Sequence, residues 1–156
     1  KFGGTSVGTI DKIKKVAEII RDYKKKNYKV IVVTSAMSGV TNDLIKKSEE
    51  ISNNFSDTEY DVLVSSGEQV ACSLIAGRLI HKGLKSRSWM AWQIPIITKG
   101  LHKNSRINNI DKNKIIKYLK KGGIPIITGF QGINNEERIT TIGRGGSDAS
   151  AIMIAK

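Results

Sequence analysis

The sequence predicts an α/β fold in which helices cover both faces of a mainly parallel sheet. Two runs, Val30–Val33 and Ile124–Thr128, are apolar at almost every position, which is typical of strands buried on both faces. Other segments, such as residues 9–26, carry apolar residues at helical spacing. Strands that alternate with helices favour parallel pairing, because the connecting helices then pack on the sheet.

The first elements follow that alternation. An amphipathic helix is predicted over residues 9–26, with Thr9 or Asp11 as its N-terminal cap. The strand Val30–Val33 comes next. A loop of small residues then leads to a second helix over about residues 43–52.

A third helix is predicted in residues 65–83, and Gly83 is its expected C-terminal cap. Its apolar residues are expected on one side: Val70, Leu74, Ile75, Leu79 and Ile80.

The second half continues with a short strand near Arg87–Trp92 and a helix around Ile115–Leu119 that ends at glycines 122 and 123. The strand Ile124–Thr128 follows. Residues 129–146 are predicted to form a hairpin, because Asn134 and its neighbour asparagine supply turn chemistry. A last helix is expected to open at Ser147 or Asp148.

Composition excludes several classes of protein. The 156 residues suit one domain with a core of its own, and no apolar run approaches the roughly 18 residues that span a bilayer. Cys72 is the single cysteine, which excludes a disulfide within the chain and favours a cytoplasmic location. His81 and His102 lack ligand spacing, so we interpret both as surface or structural residues and predict no metal site held by the protein.

The net charge of +12 raises the possibility of a nucleic-acid partner. Many lysines stand in short runs at predicted helix ends, where they complement the helix dipole. The few aromatic residues do not alternate with basic ones as a base-stacking surface requires. These patterns argue against nucleic-acid binding as the main function.

Three loops of small residues are expected at the carboxyl ends of strands, where open α/β sheets carry their sites. They are "GGTSVG" (3–8), "TSAMSGVTN" (34–42) and "GRGGSD" (143–148). Each leads from a strand to a helix, so each offers backbone N–H groups to an anion. Neither the P-loop signature nor the G-x-G-x-x-G fingerprint is present.

Four charged residues in or near these loops have alternative interpretations. Lys1 could reach phosphate oxygens, or it could simply be a solvated lysine at a strand end. Glu68 could complement the dipole at a helix start or bind a substrate ammonium group. Arg144 could bind a carboxylate or phosphate bidentately, or belong to an RNA-contacting "RGG". Asp148 could cap a helix, orient a cationic catalytic group, or both.

Taken together, four segments resemble the aspartokinase family in order and approximate spacing. They are "KFGGTSVG", "VVTSAMSGVTN", the stretch from "SSGEQVAC" to "WQIPI", and "GFQGINNEERITTIGRGGSDASA". The resemblance covers nearly the whole chain and is nearest to the bacterial monofunctional, lysine-pathway type. It implies the αβα sandwich of amino-acid kinases, in an incomplete form.

That resemblance implies transfer of the ATP γ-phosphoryl group to the side-chain carboxylate of L-aspartate, with Mg²⁺, as the first step of lysine, threonine and methionine biosynthesis. By resemblance, Lys1 and Asp148 are catalytic, and Lys1, Gly3 and Gly4 bind phosphate. The implied substrate-binding residues are Ser35, Thr41, Glu68, Phe130, Arg144 and Ser147. Glu68 would hold the substrate ammonium group and Arg144 a substrate carboxylate.

In that family a hydrophobic strand precedes the lysine, and an adenine-binding segment and ACT regulatory domains follow. The resemblance therefore implies that residues 1–156 are the N-terminal portion of the catalytic domain, inactive alone, from a cytoplasmic enzyme that forms homo-oligomers. Two alternatives stay open. One is another amino-acid kinase, of glutamate or acetylglutamate type, and the other is a basic binding module without enzymatic activity.

Overall fold

The structure, a computed structural model, describes residues 1–143 and 145–156. The strands are β1 (Val32–Thr34), β2 (Ser86–Trp89), β3 (Ile96–Lys99), β4 (Arg106–Ile110), β5 (Ile124–Thr128), β6 (Gln131–Ile133) and β7 (Ile139–Thr141). The helices are α1 (Ile10–Lys25), α2 (Val40–Ile51), α3 (Asp57–His81), α4 (Asn113–Lys120) and α5 (Gly146–Ala155).

A parallel sheet with the strand order β1, β5, β2 forms the centre of the fold. All five residues of β5 are buried, because strands flank it on both sides and helices cover both faces. Phe2 extends the sheet beyond β1: its N–H donates to Val33 O (2.9 Å), and Ser35 N–H donates to Phe2 O (3.0 Å). This sheet confirms the prediction of a buried parallel core.

Adjacent residues of each central strand point to opposite faces of the sheet. On one face, Val32 and Ile126 pack in a core with α1 and α3. On the other face, Val33 and Ile127 pack in a second core with Ile115 of α4 and residues of α5. The two cores give the helix, sheet, helix layers that the sequence predicted.

A second sheet, with the order β4, β3, β6, β7, was predicted only as the β6–β7 hairpin. The hairpin is antiparallel, with Gln131 opposite Thr141. β3 pairs antiparallel with β4 and parallel with β6, so this sheet is mixed. β3 and β4 were not predicted from the sequence.

Helix boundaries agree with prediction at α1 and differ at α2 and α3. Thr9 caps α1 by accepting a hydrogen bond from Lys12 N–H (3.3 Å), so Asp11 is not the cap. α2 starts at Val40, immediately after Gly39, which is earlier than predicted. Among the described residues, no helix combines the length and the apolar character needed to cross a membrane.

α3 starts at Asp57, so the placement of Glu68 at a helix start was wrong. The helix continues through Gly67. This glycine touches the β1–α2 loop so closely that an added Cβ atom would lie 2.9 Å from Ala36 Cβ. The predicted apolar side was also partly wrong. Ile75 and Leu79 are fully buried, whereas Val70, Leu74 and Ile80 are partly exposed.

Candidate functional site

The three small-residue loops meet in one cleft of about 340 Å³ at the carboxyl ends of the central strands. It lies at the lower end of the usual volume of small-molecule sites, about 300–1,000 Å³. The predicted residues that line it are Lys1, Gly4, Ser35, Thr41, Glu68, Phe130, Ser147 and Asp148. Thus residues far apart in sequence share one concave surface.

An ion pair joins Lys1, just before the first loop, to the third loop across this cleft. Lys1 Nζ lies 3.0 Å from Asp148 Oδ1, and the Lys1 side chain is only 23% exposed. The ammonium group is therefore held in place at the cleft, which does not fit a freely solvated lysine. Gly3 does not itself line the cleft, but a Cβ atom on it would lie 3.5 Å from Lys1 Nζ.

Gly4 is where the first loop meets the second. A Cβ atom on Gly4 would lie 3.0 Å from Ala36 O, tighter than ordinary van der Waals contact. The absence of a side chain lets the backbone of the first loop approach the second. Such close backbone approach suits a loop that cradles phosphate oxygens.

Glu68 forms the buried side of the cleft. Its Oε1 accepts a hydrogen bond from Ala36 N–H (3.0 Å), and its Oε2 is buried with no hydrogen-bond partner among the described residues. Burial raises the pKa of this carboxyl from 4.5 to about 7, although the Ala36 hydrogen bond opposes the shift. A cationic group in the cleft would supply the missing partner and favour the ionised form.

The raised pKa of Glu68 makes stability depend on pH. A carboxyl whose pKa is higher in the folded state stabilises the fold fully below pH 4.5, and this contribution is lost as pH rises through about 7. Relative to Glu68→Gln, the free energy of unfolding of the wild type should therefore fall by about 3 kcal/mol between pH 4 and pH 8. Urea unfolding at several pH values measures it.

Glu49→Gln is the matched control, because Glu49 is exposed on α2. Its unfolding free energy should follow that of the wild type at every pH. Parallel pH profiles for the wild type and Glu68→Gln would show that Glu68 titrates normally.

Phe130 and Ser147 line the cleft beside β5. Phe130 has a φ of +67°, an uncommon conformation for a residue with a side chain, and its N–H donates to Ser150 Oγ (3.3 Å). Gly129 lies so close to Ser147 that an added Cβ atom would be 2.9 Å from Ser147 Oγ. α5 therefore packs directly on the turn that carries Phe130.

The start of α5 differs from the prediction. Gly145, with a φ of +77°, is the N-terminal cap, and no side chain caps the helix, so neither Ser147 nor Asp148 serves as the cap. Asp148 lies in the first turn and reaches Lys1 instead. Arg144, predicted to bind a substrate carboxylate, lies outside the described residues.

A buried carboxyl that the sequence analysis missed connects α3 to the second sheet. Asp61 is fully buried and accepts hydrogen bonds from Thr141 Oγ1 (2.5 Å) and Lys103 N–H (3.1 Å). His102 Nδ1 lies 2.6 Å from its other oxygen. Thr141 ends β7, just before the third loop. Asp61 therefore anchors the strand from which that loop leaves.

Asp61 and Glu68 share one buried polar side of α3. They are seven residues apart, which places them on the same face of a helix. Between them, Ser65 O accepts a hydrogen bond from the buried Gln131 side chain (3.0 Å). This i, i+4, i+7 spacing of polar residues was the signal available in the sequence.

The remaining candidates have structural roles. His81 is exposed, and His102 contacts Asp61, as the interpretation of both as surface or structural residues expected. Cys72 is buried and its thiol donates to Ile126 O (3.0 Å), and burial raises its pKa to about 12. In the part of the chain that the structure describes, no three His, Cys, Asp or Glu residues form a group that could hold a metal ion.

Sequence comparisons confirm the resemblance. The chain is 51% identical over 158 residues to the aspartokinase of Rickettsia conorii, covering 99% of this chain and 39% of that relative. It is 46% identical over 155 residues to the aspartokinase of Geobacillus stearothermophilus, covering 99% of this chain and 38% of the relative. The chain thus spans well under half the length of these relatives.

Solved structures have the same fold. The aspartate kinase from Synechocystis superposes with a TM-score of 0.82 at 37% identity, over 99% of this chain and 25% of that one. E. coli aspartokinase III in complex with aspartate and ADP superposes with a TM-score of 0.82 over 99% of this chain and 45% of that one. At 24% sequence identity, this similarity shows a shared fold and nothing about function.

The family model agrees with both kinds of comparison. It is that of the amino acid kinase family, and it matches residues 1–156. The chain belongs to the amino acid kinase family.

Proposed function

We propose that the whole protein containing this chain transfers the γ-phosphoryl group of ATP to the side-chain carboxylate of L-aspartate. The observation that carries the proposal is the cleft, in which the Lys1–Asp148 ion pair and the buried carboxyl of Glu68 lie among the three small-residue loops. The ammonium group of Lys1 suits the phosphoryl group of ATP, and the carboxyl of Glu68 suits the ammonium group of an amino acid. The similarity to aspartokinases supports this choice of substrate.

In this proposal, the Lys1 side of the cleft binds the transferring phosphate. Its ammonium group stabilises negative charge on the phosphoryl oxygens, and backbone N–H groups at Gly3 and Gly4 add hydrogen bonds. Asp148 acts through Lys1: its carboxylate fixes the position of the ammonium group at 3.0 Å. ATP binding would also require residues outside this chain.

Mg²⁺ fits the proposal as an ion carried by the nucleotide. Mg²⁺ is usually bound through phosphate oxygens and one or two carboxylates, and Asp148 is the exposed carboxylate of the cleft. The ion would neutralise charge on the phosphates when bound.

The Glu68 side would bind aspartate. Glu68 Oε2, which lacks a partner among the described residues, would accept from the substrate ammonium group. Arg144 would bind the α-carboxylate. Further contacts would come from Ser35, Thr41, Phe130 and Ser147.

Two of the three charged groups of aspartate are then bound, and the side-chain carboxylate is free to react. One of its oxygens forms a bond to the γ-phosphorus, the bond from that phosphorus to the β,γ-bridging oxygen breaks, and ADP leaves with the electron pair. The products are 4-phospho-L-aspartate and ADP. No protein nucleophile is required, because positioning and charge stabilisation drive phosphoryl transfer.

The proposal extends to the wider role of the protein. Residues 1–156 would be the N-terminal portion of the catalytic domain, and the reaction would be the first step of lysine, threonine and methionine biosynthesis. A cytoplasmic location and a homo-oligomeric state stay predictions.

The direct test is turnover by the whole protein with a panel of acceptors. We expect ATP-dependent hydroxamate formation with L-aspartate and not with glutamate, whose side chain is one methylene longer, or with acetylglutamate, which has no ammonium group for Glu68 to bind. Turnover with another acceptor, or with none, would contradict the proposal. Residues 1–156 alone should give no turnover.

Arg144→Ala should raise the KM for aspartate by roughly 10- to 100-fold, because a hydrogen bond to a charged group contributes about 1.5–3 kcal/mol. Steady-state kinetics of the whole protein measures it. Arg138→Ala is the control, since Arg138 pairs with Glu59 outside the cleft. An unchanged KM for Arg144→Ala would show that Arg144 does not bind aspartate.

A further inference from the structure

A second pocket, of about 450 Å³, lies between β2 and α4 and shares no lining residue with the first cleft. Its cationic residues are Arg87 on the edge strand and Lys114, Lys117 and Lys121 on and just after α4. No carboxylate is among its described lining residues. The pocket is therefore strongly positive.

Helical spacing concentrates the positive charge on one side of α4. Lys114, Lys117 and Lys121 are separated by three and four residues, so they lie on the same face. Like charges at these spacings repel one another and destabilise a helix. A bound anion would relieve that repulsion.

Arg87 and Lys114 are held in position around the pocket. The Arg87 guanidinium group stacks on the Trp89 ring, 4.0 Å from the ring centroid. Lys114 Nζ donates to Gln93 O (3.0 Å). Tyr118 meets the Trp89 ring edge to face, with centroids 5.7 Å apart. Part of the entropic cost of ordering the cationic side chains is thus already met by the fold.

Acidic partners among the described residues do not neutralise the cationic side chains of this pocket. Some other lysines and arginines do pair with carboxylates, as in Lys82 with Glu18 and Arg138 with Glu59. None of the ion pairs found between described residues includes Arg87, Lys114, Lys117 or Lys121.

Trp89 gives a second, independent indication. The residue is 5% exposed, it lines the pocket, and its indole N–H is buried without an acceptor among the described residues. A buried donor without an acceptor is costly, and such groups call for an explanation. A ligand oxygen in the pocket would supply the acceptor.

We propose that the pocket between β2 and α4 binds a small multivalent oxyanion, of the phosphate or polyphosphate class. The volume accommodates more than a single phosphate group, and a planar guanidinium group with three ammonium groups suits several phosphate oxygens at once. The Trp89 ring already contacts Arg87 and Tyr118, so it does not offer a free surface for stacking nucleic-acid bases.

The test is calorimetric titration of the whole protein with inorganic pyrophosphate, without ATP, because the triphosphate of ATP is itself a ligand of the proposed class. Loss of binding in variants of this pocket then separates it from the first cleft. The wild type should bind pyrophosphate, and Arg87→Gln/Lys117→Gln should weaken binding about tenfold or more. Lys24→Gln/Lys25→Gln, which removes the same charge from the end of α1, should bind as the wild type does.

Equal binding by all three proteins, or no binding by the wild type, would overturn the proposal. The proposal would also be overturned if the wild type bound a single-stranded oligonucleotide but not pyrophosphate, and if Arg87→Gln/Lys117→Gln abolished the oligonucleotide binding. Urea unfolding of each variant checks that it is folded. If the double variant unfolds, Lys117→Gln alone replaces it, because Lys117 is exposed.

Discussion

Replacing Lys1 by methionine in the whole protein should lower kcat by about 10²- to 10³-fold, the usual cost of removing one group that stabilises charge in a transition state. Lys1 Nζ lies at the cleft, fixed by Asp148 at 3.0 Å. Methionine keeps much of the length of the side chain and removes its charge. Because the charge develops during phosphoryl transfer, kcat should fall more than the KM for aspartate rises. Steady-state kinetics measures both constants.

Two further variants separate this role from a general effect of charge. Lys14→Met removes an exposed lysine on α1 that pairs with Asp11, and kcat should not change. Asp148→Asn keeps the ammonium group of Lys1 but removes its partner, so its loss of kcat should be smaller than that of Lys1→Met. A kcat of Lys1→Met within about twofold of the wild type would exclude Lys1 from phosphoryl transfer.

The parts of the fold that could be predicted are those with a local signal. β5 agrees residue for residue with the predicted Ile124–Thr128, because a strand buried on both faces has a continuous apolar run. β3 lies in a run with the same letters as β5, "IPIIT" at residues 94–98, so a local signal for this strand was present and was overlooked. β4 has no such run: it reads "RINNI" and buries only Ile110. The parallel pairing of β3 with β6, 36 residues away at Ile97 and Ile133, has no local signal.

The candidate site follows the same distinction. Its loops could be predicted because a run of small residues directly after a predicted strand is a local signal. Such a loop offers backbone N–H donors at the carboxyl end of the strand. The state of Glu68 could not be predicted, because it depends on burial and on Ala36, 32 residues away. For Asp61, the polar spacing along α3 was a local signal that this side chain is buried, but its partners Thr141 and His102 lie 80 and 41 residues away in sequence and could not be predicted.

Asp61→Ala should lower the free energy of unfolding by about 3–5 kcal/mol, because it removes a buried acceptor and leaves its donors unpaired. Those donors are Thr141 Oγ1 and Lys103 N–H, and His102 loses its partner as well. Asp61→Asn keeps one oxygen as an acceptor, so its loss should be smaller. Urea unfolding followed by circular dichroism measures all three proteins.

Asp57→Ala provides a matched control on the same helix. Asp57 is also an aspartate that contacts residue 103, with Oδ1 2.6 Å from Lys103 Nζ, but its side chain is 61% exposed. Water screens that ion pair, so Asp57→Ala should cost about 1 kcal/mol or less. Equal losses for the two variants would show that the Asp61 hydrogen bonds do not stabilise the fold. A much larger loss for Asp61→Ala would show that burial, rather than charge pairing, makes α3 the anchor of β7 and of the loop that follows it.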